Sequence, residues 1–90
     1  MGAPIADSRG ESLLAAVAGG DARAVELLVD RYSPLVWSIV RRQVDHATAE
    51  DIVQDVFLQV WKGAERFDPA KGSEATFITT IARRRLIDRR

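Results

Sequence analysis

The chain has 90 residues, 47% of them hydrophobic, and zero formal net charge, which suits one small domain with a modest core. The absence of cysteine excludes disulfide bracing and thiolate metal sites. No apolar run approaches the roughly 18 residues of a membrane span, and the start lacks the basic and apolar blocks of a signal peptide, so a cytoplasmic protein without membrane insertion is the expectation.

Residues 1–8 read as a flexible N-terminal tail and residues 9–90 as the domain. Ser8 and Glu11 form a capping-box pattern ahead of a short helix that carries Leu13, Leu14, Val17 and Ala18. Gly19-Gly20 ends that helix, since glycine accepts the left-handed conformation at a helix C-terminus. Asp21 suits the N-cap of the next helix, where Val25, Leu28, Val29 and Tyr32 make an apolar stripe. Ser33-Pro34 predicts a kink or short break, with a continuation from Pro34 to about Gln43. Leu35, Val36, Ile39 and Val40 would line its inner face, with Trp37 at the edge. Asp45-His46-Ala47 reads as a turn that leaves His46 on the surface without the partners of a general base or ligand.

Thr48 is the expected cap of the helix that dominates the chain, running to about Glu65, with Glu50 and Asp51 in its first turn. At 100° per residue, Ile52, Val53, Val56, Phe57, Val60, Trp61 and Ala64 share a broad apolar face. Asp51, Gln54, Asp55, Leu58, Lys62 and Glu65 share the other. Leu58 stands among acids and amides. A lone exposed leucine is ordinary, but one so surrounded also suits the centre of a docking surface for a basic partner. Asp51 keeps a second explanation in the helix dipole.

Residues 66–73 form a loop by their Asp-Pro and Gly-Ser content, and Ser73 is the expected N-cap of a last helix from Glu74 to the end. Phe77, Ile78, Ile81, Ala82 and Leu86 form its inner stripe; Thr76, Thr79, Thr80 and Arg83 lie opposite, with Arg84 and Arg90 at the borders. Arg85 projects to the apolar side, where it would snorkel or pair with an acid such as Asp88. Threonine hydroxyls and guanidinium groups suit phosphate and base-edge contacts, although a solvated face near a helix C-terminus has the same composition. Phe67, Lys71, Gly72 and Ser73 would offer an apolar surface, a cation and free N–H groups, as single-stranded nucleic acid requires. Phe67 also suits a core anchor.

Charge is unevenly placed. Residues 1–65 hold six basic and ten acidic side chains, a net −4, whereas residues 66–90 hold seven basic and three acidic, a net +4. An acidic body and a basic end suit two partners of opposite sign; chance clustering would give the same counts. The single histidine, the lack of cysteine and the lack of a glycine-rich phosphate loop after a strand argue against an enzyme. No cofactor or metal site is expected, and Asp51 and Asp55 have no histidine co-ligand. With no strand alternation, the fold class is all-α, a compact bundle of four to five helices.

The stretches Ala49-Glu50-Asp51-Ile52-Val53-Gln54-Asp55-Val56-Phe57-Leu58-Gln59-Val60-Trp61, Phe67-Asp68-Pro69 and Thr76–Asp88 closely resemble bacterial RNA polymerase sigma factors of the extracytoplasmic-function group. The resemblance covers about residues 11–90 and implies the region 2 domain of that family, a transcription initiation factor domain. By resemblance, Asp51, Gln54, Asp55, Leu58 and Lys62 would bind core RNA polymerase at the clamp helices of its largest subunit, and Phe57 and Trp61 would mainly hold the helix on its core. The loop Phe67–Ser73, with Lys71 and Gly72, would capture a flipped base of the non-template strand of the promoter −10 element. Thr76, Thr79, Thr80, Arg83 and Arg84 would contact the upstream part of that element, and melted DNA would be trapped without bond chemistry. The family often has Trp at Phe77, Arg at Thr80 and Asn at Arg84. An amide pairs with adenine and arginine with guanine or phosphate, so the −10 sequence itself does not carry over. Family members commonly have an anti-sigma partner, and they continue through a linker to a second, −35-reading domain, so the chain is expected to be a fragment. The competing reading is a helical protein-interaction or regulatory module that uses the Leu58 face and never binds DNA.

Overall fold

A computed structural model describes residues 12–88 of the chain. Four α-helices follow in order: α1 Leu13–Ala18, α2 Ala22–Val40, α3 His46–Gly63 and α4 Glu74–Asp88, with a 3₁₀ turn Ala64–Arg66 after α3. No strand occurs among the described residues, in keeping with the all-α expectation.

Helix α1 is short but deeply placed, with Leu13, Leu14 and Val17 buried. Its N-cap is Ser12, whose hydroxyl accepts from the Ala15 N–H at 2.9 Å. The Ser8–Glu11 capping box and the flexible tail lie outside the described residues. Gly20 has φ 92°, a conformation that costs an L side chain, and lets the chain turn directly into α2. Asp21 caps α2 as expected, accepting from the Arg23 and Ala24 N–H groups.

Helix α2 runs unbroken through Pro34, so of the expected kink or short break the break is absent. The reason is phase. Ala24, Leu28, Val36 and Val40 are buried and Tyr32 is half-buried, and all five lie on one i, i+4 row that continues across the proline. Pro34 and Asp30, whose carbonyl loses its helical donor, are both exposed, where water can replace the bond.

The start of α3 also differs from expectation. His46 is already helical and Asp45 is the N-cap, accepting from the Thr48 N–H at 3.3 Å. Thr48 is therefore not the cap, and no acid occupies the first turn. Asp45 starts the helix one turn earlier because its carboxylate accepts from an orphan N–H, that of Thr48, and carries a charge suited to the dipole. His46 is on the surface as expected. It stacks on Trp37 with ring centroids 5.5 Å apart and lies 3.7 Å from Glu50.

Helix α3 forms the middle of the bundle through Ala49, Ile52, Val53, Val56 and Val60. It packs against α2 and α4, while α1 packs on α2 and on the 3₁₀ turn. In α4 only Ile78 and Ala82 are fully buried; Phe77, Ile81 and Leu86 are half-buried against the core. No helix among the described residues is long and apolar enough to cross a membrane.

Candidate nucleic-acid and protein interfaces

The first candidate surface is the outer side of α3. Leu58 is 48% exposed, and Asp51, Gln54 and Lys62 are exposed around it. Because α3 begins at His46, Asp51 lies well inside the helix, and the dipole explanation for it falls away. Asp55 has a different situation. Its carboxylate is ion-paired with Arg85 of α4, both side chains about one-third exposed, and Asp88 stands 3.8 Å from the same guanidinium. Arg85 therefore binds across to α3 first and to Asp88 second. Sequence reasoning paired it with its helical neighbour because i, i+3 contacts are visible in one dimension and interhelical ones are not.

Trp61 departs from expectation. It is 54% exposed, so it does not chiefly hold α3 on the core; the half-buried Phe57 does more of that. The apolar stripe of α3 is wider than the helices that cover it. Its uncovered edge, Phe57 and Trp61, together with the neighbouring Leu58, lines an open apolar groove of about 440 Å³ with Val25 and Val29 of α2.

The second candidate surface is a cavity of about 270 Å³ at the head of α4. Its lining brings together Phe67, Lys71, Gly72, Ser73, Thr76, Thr80 and Arg84, with Arg66, Asp68, Phe77 and Ile81 beside them. Phe67 and Phe77 meet edge to face at 5.4 Å and 72°, so Phe67 both anchors the loop and lines the cavity. Ser73 caps α4 as expected, accepting from the Thr76 N–H at 3.1 Å and donating to the Thr76 hydroxyl at the same distance. The loop is held by Asp68, whose side chain accepts from the Ala70 N–H and whose carbonyl accepts from Lys71. Chemically, the cavity presents two aromatic rings, three hydroxyls and the cations Lys71, Arg66 and Arg84. That combination suits a planar, hydrogen-bonding group joined to an anion. Thr79 and Arg83 are not in the lining; Thr79 donates its hydroxyl to the Thr76 carbonyl, and Arg83 is exposed nearby on α4.

Sequence reasoning missed the role of Glu74. One carboxylate oxygen accepts from the Leu14 N–H of α1 at 2.9 Å, and the other from the Tyr32 hydroxyl of α2 at 2.8 Å. The Tyr32 pKa is raised above its ordinary value, first by burial and then by the hydrogen bond to Glu74 and its charge, against an opposing effect of Arg31. The only signal in the chain was an acid at a helix start, which has a local explanation. Among the described residues no three His, Asp or Glu side chains gather as metal ligands would.

The Sigma-70 region 2 family matches residues 28–90. The chain is 37% identical over 89 residues to the ECF RNA polymerase sigma factor SigK of Mycobacterium tuberculosis, covering 98% of this chain and 48% of that protein. It is 36% identical over 87 residues to SigK of Mycolicibacterium vanbaalenii, covering 96% of this chain and 44% of the relative. SigK of a Mycobacterium species, strain KMS, is 40% identical over 78 residues, covering 86% and 40%. The chain thus spans about half the length of the curated relatives it matches. No solved structure matches it significantly.

Proposed function

Because this chain belongs to the Sigma-70 region 2 family, we propose that it is the domain of a transcription initiation factor that docks on core RNA polymerase and captures a flipped non-template base of the promoter −10 element. The observation that carries this reading is the cavity of about 270 Å³ at the head of α4. It lies just under the roughly 300–1,000 Å³ of drug-sized pockets, a size suited to one base. Phe67 and Phe77 supply apolar faces, the hydroxyls of Ser73, Thr76 and Thr80 supply hydrogen bonds, and Lys71 and Arg84 attract the flanking phosphates. Extruding the base has a cost of a few kcal/mol, which its capture offsets, and melted DNA is held with no bond made or broken. Thr79 and Arg83 extend the contact along α4, outside the cavity.

Docking uses the other surface. Asp51, Gln54, Leu58 and Lys62 face a basic partner, the clamp helices of the largest polymerase subunit, and Asp55 contributes from the edge while holding Arg85. An anti-sigma protein would be a further partner, and the site of action is the cytoplasm.

The decisive experiment is site-specific crosslinking from residues 67–73 to non-template DNA in a complex with core RNA polymerase and a −10-containing promoter. The expected result is a crosslink to one −10 position. The groove beside Leu58 and Trp61 favours a second reading, a protein-interaction module that never touches DNA. A complex that assembles on polymerase yet gives no crosslink from this loop selects that second reading.

A further inference from the structure

We propose that Glu74 is a positioning residue for the base-capturing cavity, acting by fastening the α4 wall to α1, on which the other wall already packs. The proposal rests on the reading above and extends it to a helix that precedes the residues matched by the family, since α1 ends at Ala18 and the match begins at residue 28.

The cavity has two walls of different origin. Arg66, Phe67 and Asp68 come from the 3₁₀ turn and the loop after it, whereas Ser73, Thr76, Phe77 and Thr80 come from the head of α4. Locally the two walls meet where Phe67 packs edge to face on Phe77, while the loop that joins them is exposed over Asp68–Ser73. Both walls are also referred to α1. The 3₁₀ turn packs on α1, with Ala64 in the same buried cluster as Leu13, Leu14 and Val17. The head of α4 reaches α1 through Glu74, which accepts from the Leu14 N–H at 2.9 Å. Leu14 is fully buried, so this reference point does not move easily.

Glu74 does not line the cavity. It is the first residue of α4, directly after Ser73 and one helical turn before Phe77 and Ile78. Its second oxygen accepts from Tyr32, so the carboxylate ties three helices together. It also satisfies a first-turn N–H of α1 that the local cap does not reach, since Ser12 serves Ala15. Loss of the carboxylate leaves Leu14 without that acceptor and frees the α4 wall to shift. Stacking and hydrogen bonds to a captured base weaken steeply with misalignment.

The test uses a complex reconstituted with core RNA polymerase and a non-template −10 oligonucleotide carrying 2-aminopurine at successive positions. Wild-type protein is expected to give a fluorescence rise at one position, where the base unstacks. Glu74→Ala, which removes both hydrogen bonds of the carboxylate, should weaken that capture about tenfold, while assembly on polymerase stays within about twofold. Glu74→Gln retains an acceptor for the Leu14 N–H and should recover most of the affinity. Tyr32→Phe removes one bond of the pair and should cost about threefold; it carries the test should Glu74→Ala fail to fold. A wild-type rise that all folded variants keep at full affinity overturns this proposal alone. Parallel loss of assembly and capture also overturns it, because that is the mark of a merely structural residue. No position-specific rise in the wild type overturns the base-capture reading itself, and this proposal with it.

Discussion

Leu58 stands on a surface that one helix supplies by itself, whereas the cavity around Phe67 draws on a turn, a loop and a helix. The α3 surface keeps its shape as long as α3 is helical. The cavity keeps its shape only while α1, the 3₁₀ turn and α4 hold their mutual positions, through Glu74 and the core beneath. A surface of the first kind tolerates changes elsewhere in the bundle. One of the second kind is sensitive to residues that never touch its ligand.

The contrast can be broken most directly at Leu58. Leu58→Ala is expected to weaken binding to core polymerase about thirtyfold, as loss of a central apolar anchor does, and to leave affinity for single-stranded −10 DNA unchanged in a direct titration. Equal loss of both would merge the two surfaces into one. Next in size, Arg84→Ala should lower −10 DNA affinity about tenfold and reduce the salt slope by roughly one. Arg83→Ala, outside the cavity, should do less at any one base and act evenly across sequences. Third, Asp55→Ala should lower unfolding free energy by at most about 1 kcal/mol, since the pair with Arg85 is partly exposed. Asp51→Ala, two residues past the first turn and without an ion pair among the described residues, should leave thermal stability unchanged.

A further effect concerns pH. The Tyr32 pKa is raised in the folded state, so its neutral form is favoured by folding. That stabilisation is complete below about pH 10, the ordinary tyrosine value, and is lost as pH rises through the folded value. Denaturant unfolding of wild type between neutral and alkaline pH should therefore show a decline in stability that is smaller in Tyr32→Phe.

What could be read from the chain follows the same division. The apolar face of α3, the exposure of Leu58 and the cap at Ser73 depend on spacing within one element, and periodicity reveals them. Part of the cavity lining was also legible, Phe67, Lys71, Gly72, Ser73, Thr76, Thr80 and Arg84, because they lie in one short stretch, whereas Arg66, Asp68, Phe77 and Ile81 gave no such signal. The pairings Asp55–Arg85, Glu74–Leu14 and Glu74–Tyr32 join residues 30, 60 and 42 positions apart, by the numbering of the partners, and no spacing rule encodes them. Pro34 shows the reverse error: a strong local signal for a break was overridden because the buried row of α2 stays in phase on both sides. Trp61 was misplaced because a projection shows how wide an apolar stripe is, but not how much of it the neighbouring helices cover.

That uncovered indole has a practical side. The chain holds two tryptophans, one stacked on His46 and one open to water beside Leu58. Trp61 is thus a built-in optical reporter. Its emission should shift to the blue when a partner covers the groove, and a Trp37→Phe background would isolate that signal.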